Sequence, residues 1–165
     1  MANVTTFLMI FLLLALLGGA VGVFCGRLYA KSAKFRRNVR AHGKLKLQVL
    51  GRDFSVCKVT DYSGVDLTDQ YCFIGKTDAE RSLVCETSRG PSNVIEREDG
   101  WRAFRIAGVL DFSLVGILAE LSSVLARENI GIFAVSTYNT DYIFLKKGCL
   151  DDAVRALERA GYVVV

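Results

Sequence analysis

Few residues of this 165-residue chain combine the type and spacing needed for covalent chemistry. The one histidine, His42, lies in a basic stretch outside any patterned element. A Ser-His-Asp or Cys-His arrangement inside a folded domain is therefore excluded. Beyond Cys25, the cysteines Cys57, Cys72, Cys85 and Cys149 are spaced 15, 13 and 64 residues apart, which is neither metal-ligand nor dithiol spacing. They read as small buried hydrophobes. No GxxxxGK[ST] loop or strand-borne GxGxxG is present. The neighbouring acids Glu98-Asp99 and Asp151-Asp152 fall on a loop and a helix start, where carboxylates are ordinarily solvated. No catalytic residue, metal site or cofactor is expected, and the chain reads as not an enzyme. The chemistry left is recognition, carried by polar groups at the ends of elements. Asp111 or Ser113 stands where a helix cap is wanted, and Asp141 follows Asn139-Thr140 as a turn cap would.

The elements that would position those groups follow from hydrophobic period. Residues 44–50 (KLKLQVL) alternate as a half-buried strand, and Phe54–Val59 is a second β-rich run. Residues 60–70 are turn-rich. Tyr71–Ile74 and Ser82–Cys85 form a hairpin around GKTDAER. No amphipathic helix is expected in this half. Trp101–Ala107 alternates as a strand. Leu114, Ile117, Leu118, Leu121 and Leu125 make an i, i+3, i+4, i+7, i+11 stripe over Ser113–Arg127, an amphipathic helix ended by Asn129 in a left-handed turn. Ile130–Thr137 and Thr140–Lys146 pair around Tyr138-Asn139, Leu150–Ala160 is a second helix closed by Gly161, and Tyr162–Val165 is a last strand. The order is β-α-β-β-α-β, an antiparallel sheet packed on two helices.

Charge and hydropathy divide the chain sharply. Phe7–Phe24 is eighteen residues without a polar side chain. A run of ~20 residues at 1.5 Å each spans a ~30 Å bilayer core. Eight cations and no anion follow, from Arg27 through Lys46, while the 13 basic and 17 acidic residues beyond leave a net of −4. An uncleaved, single-pass membrane helix over residues 1–26, anchored through residues 7–26, is expected, with a basic linker at 27–43 and the C-terminal domain on the cytoplasmic side. Gly18, Gly22 and Gly26 place small residues on one helix face, a helix-pairing pattern, and Cys25 stands where palmitoylation occurs. The acidic downstream region lacks the clustered cations of a phosphate-tracking surface, so nucleic acid is not an expected partner.

Residues 108–145, GVLDFSLVGILAELSSVLARENIGIFAVSTYNTDYIFL, resemble the ACT domain. They are similar in particular to the tandem ACT-domain family that includes small bacterial ACT proteins and the cytosolic arginine sensors of animals. Trp101, the DFSL and GIL runs (111–114, 116–118), IFA (132–134), STY (136–138) and TDY (140–142) correspond to that pattern. More faintly, so does YCFIGKTDAERSLVCE (71–86), where Gly75-Lys76 departs from it. After the N-terminal transmembrane helix, which hydropathy gives and which is no part of the family pattern, the resemblance implies an α+β fold: a tandem ACT-like, ferredoxin-like (βαββαβ) domain with an antiparallel sheet. A degenerate first half at 44–98 and a second at 99–165 are its expected parts. It further implies a non-catalytic regulatory module that binds a small ligand, most plausibly an amino acid, and forms a homodimer. The alternative is a ligand-free dimerisation or protein-interaction module. The implied ligand site comprises Asp111, Phe112, Ser113, Leu114, Ser136, Thr137, Thr140 and Asp141. The N–H groups of Phe112–Val115 at a helix start would receive a carboxylate, Asp141 an ammonium or guanidinium, and the hydroxyls the remaining polar atoms.

Overall fold

The computed structural model describes residues 45–165. Two long strands dominate it. β1 (Lys46–Val59) joins the two sequence runs into one 14-residue strand, and β4 (Val94–Ile106) extends 13 residues. They pair antiparallel along most of their lengths, with Phe54 opposite Trp101. The polar Gly51-Arg52-Asp53 segment does not end β1. A register shift between Leu50 and Phe54 absorbs it, as a bulge does in a strand held from both sides. Gly100 sits at φ +80° in β4, a conformation costly for any residue with a Cβ, and lies beside that shift.

Each long strand carries one hairpin. β2 (Cys72–Lys76) and β3 (Arg81–Glu86) pair with each other, and β3 continues onto β1. β5 (Ile132–Ser136) and β6 (Asp141–Lys146) pair likewise, and β6 continues onto β4. The strand order is β2-β3-β1-β4-β6-β5. Two helices follow β4 and β6: α1 (Ile117–Arg127) and α2 (Leu150–Arg159). Ile117, Leu121, Val124 and Leu125 of α1 and Ala153, Ala156 and Leu157 of α2 are buried against Leu47, Phe104, Ile106, Ile143 and Leu145. This is the predicted stripe, although α1 begins at Ile117 rather than Ser113. Asn129 takes φ +57° after α1 and Gly161 φ +97° after α2, as their positions predict.

The opposite faces of the same strands make a second core. Phe54, Phe144, Ala103, Leu50 and Val84 are buried there, with Trp101, Phe133, Tyr142, Phe73 and Tyr71 packed around them. Phe144 stacks on Phe133 at 4.6 Å and meets Phe54 edge-on at 5.3 Å, while Phe73 reaches Tyr142 at 4.9 Å. The two hairpins therefore face each other across an aromatic layer.

Two expectations are corrected. First, no helix among the described residues is long and apolar enough to cross a membrane. The longest, α1, has 11 residues, about half of what a ~30 Å core requires. The fold class is thus an α+β domain with an antiparallel sheet, and the transmembrane helix, the membrane location and the cytoplasmic side drawn from it are not retained. The apolar run that suggested them, with the 27–43 linker and Cys25, lies outside the described residues. Second, the β-α-β-β-α-β order runs from Val94 onward as expected, but its sheet is not wholly antiparallel. Residues 60–71 cross as a loop, and residues 87–93 hold only the short 3-10 turn Thr87–Arg89. The final strand β7 (Val163–Val164) pairs in parallel with β1, through Lys46↔Val163 and Leu47↔Val164, so β1 is inserted between β7 and β4.

Because Phe144 is fully buried among rings from β1, β2 and β5, truncation should unlock both halves together. Phe144→Ala is expected to cost about 3–5 kcal/mol in one cooperative urea transition. A loss below about 1 kcal/mol would show that the aromatic layer does not join them.

Candidate functional site

Between the β4–α1 connection and the β5–β6 turn lies a cleft of about 400 Å³, a size suited to a small metabolite. Of the residues predicted from sequence, Asp111, Phe112, Leu114, Ser136, Thr137, Thr140 and Asp141 all line it, and Ser113 does not. Leu110, the first turn of α1 and the turn residues Tyr138 and Asn139 complete the wall.

Local hydrogen bonds hold its two walls. The Leu110 N–H donates to the Asn139 carbonyl at 2.8 Å, tying the loop after β4 to the hairpin turn. The Thr140 hydroxyl, in a residue only 7% exposed, donates to the Ile106 carbonyl at 2.7 Å and pins the hairpin to the end of β4. The Thr137 N–H and hydroxyl both donate to the Thr140 carbonyl, at 2.9 and 2.7 Å. Thr137 and Thr140 therefore spend their hydroxyl protons on shaping the turn. Ser136 and Asp141 face each other as a cross-strand pair at its base. Among the described residues Asp141 forms no ion pair.

The other wall departs from the sequence expectation in one respect. Asp111 does not cap the helix; it folds an Asx turn, its Oδ1 accepting the Ser113 N–H at 2.7 Å and its carbonyl the Leu114 N–H at 2.9 Å. Those two N–H groups are spent. Gly116, at φ +91°, then redirects the chain, and α1 starts one residue later without a side-chain cap. The first bond into the helix runs from the Glu120 N–H to the Gly116 carbonyl at 3.0 Å. The N–H groups of Ile117, Leu118 and Ala119 thus precede the helical ladder, and these three residues line the cleft. Sequence reasoning placed this donor pole four or five residues too early. Gly116 is the available signal, because glycine takes the left-handed conformation that residues with a Cβ rarely adopt.

Electrostatically, the cleft is a short dipole. The α1 terminus contributes roughly half a positive charge at one end, and Asp141 stands on the opposite wall. Hydrogen bonds from Ser113, the side chain's first and the backbone's second, hold Asp111 below the usual carboxylate range. Apolar side chains rim the opening. Phe112 is 78% and Tyr138 81% exposed, their rings edge-to-face at 5.4 Å, with Val109 and Val115 exposed nearby. Among the described residues no group of His, Cys, Asp and Glu is placed to hold a metal ion.

Residues 96–159 match the family model of the ACT domain, which is a non-catalytic regulatory module. No curated protein matches the chain. Among solved structures, a protein of Agobacterium tumefaciens is similar at 27% identity and TM-score 0.64, covering 74% of this chain and 92% of its own. A Vibrio cholerae protein of unknown function, described as a possible transport protein, is similar at 18% identity and TM-score 0.56, over 73% of this chain and 94% of its own. The aspartate kinase of Clostridium acetobutylicum, an allosteric enzyme, is similar at 15% identity and TM-score 0.51, over 68% of this chain and 34% of its own. The last two likenesses establish the fold. These findings agree with an ACT-type fold over residues 96–159.

The Asx turn at Asp111 has a pH signature. Its lowered folded value means that its charge stabilises the fold above the ordinary aspartate value of ~3.9, and that this contribution is lost as pH falls through the folded value. Asp111→Asn should therefore unfold at lower urea than the parent at pH 7, with the gap closing as pH falls toward 2. A gap independent of pH would remove the charge from the account.

Proposed function

We propose that the cleft binds a free α-amino acid, and that the chain is an ACT-type regulatory module whose state reports that ligand. The observation that carries this reading is the pairing of a helix N-terminus without a side-chain cap at Ile117–Ala119 with the Asp141 carboxylate, which forms no ion pair among the described residues, on opposite walls of one cleft. A carboxylate at the first gains backbone donors and the positive helix end. An ammonium at the second gains a charge-assisted hydrogen bond, roughly twice as strong as a neutral one. Ser136 and Thr137 supply acceptors beside it, and Leu110, Leu114 and Leu118 offer apolar surface to the ligand's side chain. The ACT match over 96–159 adds the precedent of a domain type used for regulation.

The same proposal takes 44–98 and 99–165 as two ACT-like halves, the first without helices, and takes the functional unit as a homodimer. The exposed rim of Val109, Phe112, Val115 and Tyr138 supports dimerisation, since exposed apolar clusters commonly mark interfaces. That rim also favours a second reading, a ligand-free interaction module in which the cleft is merely the seam beside a binding surface.

A thermal-shift scan of the twenty amino acids against the full chain separates the two. A ligand at a hundred times its Kd should stabilise the fold by ~2.7 kcal/mol, and Asp141→Ala should abolish the response while leaving the unliganded melting temperature nearly unchanged. A folded protein that responds to none of the twenty at millimolar concentration supports the ligand-free module instead.

A further inference from the structure

The loop that replaces a helix in the first half repeats the wall of the cleft. Asp61-Tyr62-Ser63-Gly64-Val65 follows β1 as Asp111-Phe112-Ser113-Leu114-Val115 follows β4. The hydrogen bonds repeat as well: Asp61 Oδ1 accepts the Ser63 N–H at 2.8 Å, as Asp111 Oδ1 accepts that of Ser113 at 2.7 Å. The hairpins correspond with a constant offset. Cys72 opposes Cys85 as Ile132 opposes Leu145, and the Thr77 N–H donates to the Glu80 carbonyl at 2.9 Å as that of Thr137 does to Thr140. On this correspondence Tyr62 stands for Phe112, Gly75 for Val135 and Arg81 for Asp141.

The two aromatic residues differ in where they lie. Phe112 leans outward on Tyr138 and leaves the cleft open. Tyr62 is half-buried, packs against the Cys57, Val59, Leu83 and Cys85 cluster, and its hydroxyl donates to the Gly75 carbonyl at 2.9 Å. Its ring thus spans from the loop after β1 to β2, the counterparts of the loop after β4 and of β5, whose residues Leu110, Phe112 and Ser136 line the cleft. Two further differences agree. Where α1 would begin, Asp66 instead folds an Asx turn on Thr68, at 3.0 Å to its N–H. Arg81 places a cation where an ammonium would need an anion.

We infer that the first half is a second copy of the binding half whose ligand space is filled by the chain's own Tyr62, so that each chain offers one amino-acid site and the vacated copy would accept a para-substituted phenol. The inference rests on the cleft reading for what the space corresponds to, but its test uses no amino acid. Tyr62→Gly is titrated with 4-methylphenol in the full chain, beside the parent and Tyr62→Phe. The glycine variant should gain roughly 5 °C in Tm at tenfold Kd, whereas the parent and the phenylalanine variant, whose rings still fill the space, should not respond. Should Tyr62→Gly fail to fold, the phenol should restore its structure by circular dichroism. Asp141→Ala in the glycine background should leave the phenol response intact, which separates this space from the cleft. Failure of the phenol to stabilise or refold Tyr62→Gly overturns the inference, as does an equal response in the parent.

Discussion

Phe144 sits where the two halves of the domain meet. Its ring is fully buried, stacked on Phe133 from its own hairpin and edge-on to Phe54 of β1 and Phe73 of β2. Offset and edge-to-face rings gain specific electrostatic complementarity beyond area burial, and a rigid layer of them fixes the angle at which the two hairpins meet. Everything at the outer surface follows from that angle. The left-handed Gly100 and the β1 register shift lie in the two long strands between the hairpins that close on the aromatic layer. Helices α1 and α2 then cover the far side of one half, while the 60–71 loop covers the far side of the other.

The cleft is a by-product of how α1 is attached. A helix running straight on from β4 would bury its own terminus in the Asx turn of Asp111. The left-handed step at Gly116 separates the two, so the turn consumes its own donors and the helix start keeps its own free. Across the gap, the hydroxyls of Thr137 and Thr140 lock the hairpin turn, leaving Ser136 and Asp141 fixed but chemically uncommitted. A site preorganised by backbone geometry gives up little conformational freedom on binding. The exposed Phe112 and Tyr138 lie at its mouth, where a ligand or a second chain would cover them.

Much of this was legible in the sequence wherever a local rule had no competitor. The α1 stripe from Leu114 to Leu125 reads as a helix because five apolar residues recur at helical spacing, and Asn129 and Gly161 mark ends that only left-handed residues make easily. Tyr138-Asn139 reads as a turn, and residues 136–141 gather with Asp111, Phe112 and Leu114 in one cleft. What escaped was non-local. Gly51-Arg52-Asp53 looks like a strand break but is carried inside β1 because β4 pairs on both sides of it. No periodicity reveals that β7 would choose β1 over β4. The N-terminal boundary of α1 was misread because Ser113 is a better cap by type than Gly116, yet Asp111 had already claimed its N–H. The Asx turns of Asp61 and Asp111 likewise share a residue pattern too short to stand out in the sequence, and only their hydrogen bonds show the likeness.

The central claim is that the cleft reads both charged ends of a free amino acid. The most direct measurement is calorimetric titration of the full chain with the stabilising amino acid, its C-terminal amide and its α-hydroxy acid analogue. Removing the carboxylate takes away the partner of Ile117–Ala119, and removing the ammonium takes away the partner of Asp141. Each analogue should bind at least tenfold more weakly, about 1.4 kcal/mol. Equal affinity for the amino acid and for both analogues would contradict the account.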